Sequence, residues 1–156
     1  MKRLLALVYG IVCYLIFFPT FLYLFGFMGD LWVPYSVSRG GEPAAGFGAV
    51  LVNLGLIALF GVQHSVMARP TFKRWWTKIV PKPAERSTFV LITSAILIFT
   101  YARWRPMPGE IWNLSGTLAE PVLWAVFAAG ALIVLASSFM INHFEDRKST
   151  RLNSSH

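Results

Sequence analysis

Six residues in this 156-residue chain have side chains able to bind, orient or ionise a small molecule, and they sit at the borders of its apolar runs: His64, Arg69, Glu85, Arg86, Asn142 and His143. If those runs are membrane-crossing helices, all six lie at one depth, and helix ends in a bundle can converge on one pocket at the lipid boundary. Such a pocket suits a small apolar substrate arriving through the bilayer and a charged cofactor arriving from water. His64 and His143 together raise the possibility of a haem or metal site. However, no Cys-x-x-Cys-His, no His-Glu-x-x-His and no acidic cluster accompanies them, so no metal is expected; lone interfacial histidines more often make structural hydrogen bonds. Glu85 and Arg86, just after Pro83, suit a local ion pair or a helix N-terminus. No glycine-rich phosphate loop, Ser-His-Asp set or paired carboxylates are visible.

The elements that must position these residues are legible from hydropathy. The chain is 56% hydrophobic, 15% aromatic and only 13% charged, with a mean hydropathy of +0.58, too apolar for an ordinary soluble domain. Four apolar runs span about 4–28, 47–67, 87–104 and 121–141. At 1.5 Å per residue, about 20 apolar residues cross the roughly 30 Å hydrocarbon core, and backbone groups inside lipid must bond within the helix. The expected fold is all-α: a polytopic membrane helix bundle of four transmembrane helices plus a short interfacial helix.

That short helix is expected over 71–80, where Phe72, Trp75, Trp76, Ile79 and Val80 fall on one face and Lys73, Arg74, Thr77 and Lys78 on the other. Pro70 suits its first turn, and Pro81 and Pro83 stop it. Pro19 is expected to kink the first helix. Gly48 and Gly55 read as close-packing positions, and Asn53 as a polar group near mid-membrane that bonds to another helix.

Charge sets the expected orientation. Lys2, Arg3, Arg69, Lys73, Arg74, Lys78, Lys82 and Arg86 fall on one side of the spans, against Arg39, Arg103 and Arg105 on the other. Cytoplasmic loops hold the excess of Lys and Arg, so the N-terminus and the loop 68–86 are expected in the cytoplasm. The net charge of +7 is spread along membrane borders instead of forming a patch, and no nucleic-acid partner is expected. Cys13 is the only cysteine and lies within the first run, so a disulfide framework is excluded. The basic start followed by Leu4 to Phe18 has the look of a signal peptide, but the apolar stretch continues to Met28 without a small-residue cleavage site, and an uncleaved helix is expected.

From Asp146 to His156 the chain reads Asp-Arg-Lys-Ser-Thr-Arg-Leu-Asn-Ser-Ser-His. This string resembles the in-frame translation of a common sequencing-adapter oligonucleotide. Residues 145–156 are therefore expected to be a disordered artefact, and 1–144 the N-terminal transmembrane part of a longer protein.

Several ordered motifs carry a wider resemblance: Gln63-His64-Ser65-Val66-Met67-Ala68-Arg69-Pro70, Phe72-Lys73-Arg74-Trp75-Trp76, Glu85-Arg86-Ser87-Thr88, Trp104-Arg105-Pro106 and Asn142-His143-Phe144. Over the chain up to Phe144 this resembles the N-terminal half of the bacterial methanethiol S-methyltransferases, a group similar to isoprenylcysteine carboxyl methyltransferase. The resemblance implies an integral protein of the bacterial inner membrane that transfers a methyl group from S-adenosylmethionine to methanethiol, giving dimethyl sulfide. It also implies that the cofactor is held mainly by later helices and a C-terminal Arg-His-Pro type motif outside this sequence, so the stretch present here is expected to be inactive alone. The six residues named at the outset become candidates for lining the substrate or cofactor entrance, with the catalytic residue unassigned and the lipid bilayer and a small thiol as partners. Arg69 or Arg86 would favour the thiolate, the nucleophilic form of the thiol. The alternative is a non-enzymatic or haem-binding integral membrane protein related to the nitrite and nitric-oxide reduction-associated family.

Overall fold

The computed structural model describes the backbone of residues 1–44, 46–110 and 112–153, and side chains up to 138 together with Met140, apart from those of residues 45 and 111. Five helices follow in order: α1 (Lys2–Gly29), α2 (Phe47–Met67), α3 (Pro70–Trp76), α4 (Lys82–Arg103) and α5 (Ala119–Asn153). Among the described residues there is no strand. The chain divides into two units, residues 1–109 and residues from 110 onward.

In the first unit α4 is the central element, and side-chain pairs along its length give its register. Tyr9 Oη and Thr88 Oγ1 lie 3.0 Å apart at one end, Tyr101 Oη donates to the Thr20 carbonyl at 2.9 Å further along, and Phe27 meets Trp104 edge-on at 5.6 Å at the other end. α1 and α4 therefore run parallel. Gln63 Nε2 donates to Thr93 Oγ1 at 3.2 Å, while Asn53 reaches Arg105 beyond the far end of α4, so α2 runs antiparallel to it. Phe27, Leu97 and Tyr101 form a buried cluster, flanked by Tyr23, Leu24, Phe60 and Trp104.

Lys2–Gly29, Phe47–Met67 and Ala119–Ser138 are long and apolar enough to cross a membrane. They correspond to three of the four expected spans; the remaining run, 87–104, lies in α4 up to Arg103, and the buried face of that helix holds Thr93, Ser94, Thr100 and Tyr101. Its hydroxyls lower the hydropathy yet are bonded: those of Thr88, Ser94 and Thr100 each donate at 2.8 Å to the carbonyl four residues earlier. Back-bonding of this kind lets a helix carry hydroxyls in an apolar setting without orphaned donors.

Helix ends follow local chemistry. α1 continues through Pro19 and ends where Asp30 takes a left-handed conformation (φ 57°). α2 covers the expected 47–67, and α4 begins five residues before the expected 87. The interfacial helix is shorter than the expected 71–80: α3 stops at Trp76, and Lys78 and Ile79 make i→i−3 bonds to Trp75 and Trp76. Pro81, lacking an N–H, ends that turn. Gly48 and Gly55 have open space around them instead of a packed neighbour.

In the second unit, the Glu120 carboxylate accepts the Gly116 N–H at 2.7 Å and sits in the first turn of α5, where a negative charge suits the unpaired N–H groups. α5 continues through Asn153, so residues 145–153, expected to be disordered, are helical.

Candidate functional site

Four of the six candidate residues lie at one end of the first unit, where the C-terminus of α2 meets the N-terminus of α4. His64, in the last turn of α2, stacks on Phe60 of its own helix at 5.6 Å and 23°, and meets Phe89 of α4 at 5.4 Å with the rings tilted by 49°. Phe60 precedes His64 by four residues, so the helix repeat alone brings these two rings together, whereas the Phe89 contact depends on the α2/α4 register. Arg69 is the exposed N-cap residue of α3. Glu85 is half-buried in the first turn of α4, and Arg86 beside it is exposed. Glu85 and Phe89 are four residues apart on one helix, which places the carboxylate one turn from the His64 stack. Asn142 and His143 belong to α5 in the second unit, and their side chains lie outside the described residues.

Two further atoms at this end were not singled out from sequence. Gln63 Oε1 and Trp76 Nε1 are buried without a hydrogen-bond partner, although Gln63 Nε2 bonds both Thr93 Oγ1 and Met67 Sδ, each at 3.2 Å. A buried unpaired acceptor and donor commonly mark a place for water or a small polar ligand. The sequence clue was Gln63 directly before His64 on an otherwise apolar helix. Trp76 belongs to an aromatic group with Phe72 and Trp75, with ring centroids 5.6 to 6.0 Å apart.

The described residues around His64 do not assemble a complete cradle for S-adenosylmethionine. His64 touches two phenyl rings yet is exposed, as is Arg69, so this end offers an aromatic wall and positive charge but no enclosed polar shell. Among the described residues there is no group of three or more His, Cys, Asp or Glu placed to hold a metal.

The opposite end is more elaborate than the sequence implied. Asp30 accepts hydrogen bonds from the hydroxyls of Ser36 and Ser38 and from Arg39 Nε, the last at 2.7 Å. The Ser36 and Ser38 hydroxyls hold the Asp30 carboxyl well below the usual range, at about 2, against the opposing effect of burial and with further help from the Arg39 guanidinium. Tyr23 Oη donates to the Tyr35 carbonyl at 2.8 Å and accepts its N–H at 3.1 Å, and Trp104 Nε1 donates to the Val37 carbonyl at 3.1 Å. The loop after α1 is thus fastened over the helix ends. Asn53, expected to bond another helix near mid-membrane, instead holds the backbone just past α4. Beside it, between α2 and α4, a groove of about 930 Å³ is lined by Glu42, Leu51, Leu59, Phe99, Arg103 and Arg105 among others.

No family model matches the chain, and no solved structure matches it. Curated proteins do. The chain is 51% identical over 93% of its length to a methanethiol S-methyltransferase of Mycobacterium tuberculosis (strain ATCC 25618 / H37Rv), covering 59% of that protein. It is 41% identical over 93% of its length to a methanethiol S-methyltransferase of Crocosphaera subtropica, covering 56%. It is 47% identical over 92% of its length to methanethiol S-methyltransferase 1 of Bradyrhizobium diazoefficiens, covering 50%. The chain therefore spans between half and three-fifths of the length of these relatives. Over more than nine-tenths of its own length, the chain is similar in sequence to proteins named methanethiol S-methyltransferase.

Proposed function

We propose that this chain is the membrane-embedded part of an S-adenosylmethionine-dependent methyltransferase that converts methanethiol to dimethyl sulfide. The observation that carries the proposal is the 41–51% identity to proteins of that name over 92–93% of the chain, joined to helices apolar enough to lie in lipid. A neutral, volatile thiol partitions into the bilayer, so a site at helix ends on the membrane boundary suits it. The cofactor, when bound, supplies an electrophilic methyl group. The part of this chain would be to admit and orient the thiol, with positive charge from Arg69 or Arg86 favouring the thiolate and a held geometry aligning it for attack.

The same reading makes α4 a fourth span in the full bundle, because it lies beside α1 from Thr88 to Trp104 and so covers the same thickness of membrane. It also places the end bearing His64, with its eight Lys and Arg residues, on the cytoplasmic face of a bacterial inner membrane.

The deciding experiment measures dimethyl sulfide by gas chromatography from cells given methanethiol. Cells express either this chain or the chain extended to the length of its relatives. Dimethyl sulfide from the extended protein alone is the expected result; none from either, with both present in the membrane, refutes the substrate assignment.

A further inference from the structure

The groove between α2 and α4 lies at the end of the bundle away from His64 and takes no part in the proposed reaction. Its wall is divided. Along α2, Leu51 and Leu59 are separated by eight residues, about 12 Å of helix, and Phe99 faces them from α4. Where the helices end, the lining becomes ionic, with Arg103 and Arg105 from the α4 terminus and Glu42 from the loop. Arg103 folds back over the Phe99 ring, its Cζ 5.9 Å from the centroid, and Arg105 is anchored at its backbone by Asn53. Arg103, Arg105 and Glu42 line the groove without forming an ion pair with one another, whereas Arg39 of the same loop is taken up by Asp30. Apolar walls at membrane depth beneath unpaired charges at the interface match an amphiphile.

The charge pattern narrows the class. Two guanidiniums suit a phosphate, which arginine grips with paired N–H donors, and the single carboxylate suits an ammonium. We propose that this groove binds a glycerophospholipid whose headgroup carries both a phosphate and a primary ammonium, as phosphatidylethanolamine does. The phosphate sits at Arg103 and Arg105, the ammonium sits at Glu42, and an acyl chain lies along Leu51, Leu59 and Phe99. The occupant has to be a lipid and not a free anion because the groove continues into apolar wall below the charges. The volume of about 930 Å³ admits a headgroup with the upper part of one chain.

The test is native mass spectrometry of the purified full chain, equilibrated with equal amounts of phosphatidylethanolamine, phosphatidylglycerol and phosphatidylcholine. Phosphatidylethanolamine is expected to be retained in preference to the other two. Glu42→Gln is expected to weaken its retention about tenfold, the scale of one charge-assisted hydrogen bond, and to leave phosphatidylglycerol unchanged. The Arg103→Gln/Arg105→Gln double variant is expected to weaken both. Equal retention of phosphatidylcholine, indifference to Glu42→Gln, or displacement of the lipid by millimolar inorganic phosphate would each overturn the proposal. Should the double variant fail to fold, Glu42→Gln decides alone, since Glu42 is exposed on a loop. None of these outcomes depends on methyl transfer.

Discussion

The Asn53 carboxamide holds both backbone groups of Arg105, donating to its carbonyl at 2.8 Å and accepting its N–H at 2.9 Å. Asn53 is 4% exposed, and it satisfies the chain where α4 has ended and no helical partner remains. Asn53→Leu removes both bonds and leaves two backbone groups unpaired, so it should destabilise the protein by about 1–3 kcal/mol. Thermal unfolding in detergent checks this; a wild-type midpoint would show that water replaces the side chain without loss.

Asp30 gives the loop after α1 a pH dependence of known sign. Its carboxyl titrates at about 2 in the folded chain against an ordinary 3.8, so the stabilisation it contributes is complete above the ordinary value and is lost as pH falls through about 2. The partners are 42% and 52% exposed, so solvent screens the effect and the change should be local. Pepsin cleavage within 30–46 should accelerate as pH drops from about 4 to 2, measured against cleavage elsewhere in the chain. Asp30→Asn should remove that pH dependence.

Gly41 passes close under the end of α4 with φ +70°. A Cβ there would lie 2.7 Å from the Trp104 carbonyl oxygen, a backbone atom that cannot swing away. Gly41→Ala therefore combines an unfavourable left-handed conformation with a clash, and should destabilise by about 1–3 kcal/mol. A lowered unfolding midpoint in detergent is expected; an unchanged one would mean that the loop shifts freely.

Orientation can be read with thiol reagents, because the single natural cysteine, Cys13, is 1% exposed and should stay silent. A cysteine placed at exposed Lys78 should react with a membrane-impermeant maleimide only after the cells are opened, and one placed at Glu42 should react in intact cells. The reverse pattern would invert the proposed topology.

His64 is the titratable member of a stack whose other members are Phe60 and Phe89. In the chain extended to the length of its relatives, His64→Phe should preserve the ring packing and the unfolding midpoint while lowering dimethyl sulfide formation about tenfold or more. Unchanged turnover would reduce His64 to a packing residue and remove the first member of the candidate cluster.

The sequence by itself determined where the helices lie and which ends carry charge. Lipid demands about 20 apolar residues in a row and internal backbone bonding, and both requirements are written locally in the residue order; α2 accordingly matches 47–67. Likewise, the eight cations of one side and the three of the other separate to opposite ends of the bundle. Neighbours on different helices could not be read this way. That α4 is the central element, that His64 meets Phe89, that Asn53 serves the turn after α4, and that Glu42, Arg103 and Arg105 face one groove all depend on helix register. Register is decided by how side chains from distant parts of the chain interlock, Tyr101 with Thr20 and Trp104 with Phe27 and Val37, and no periodicity within a single helix encodes it.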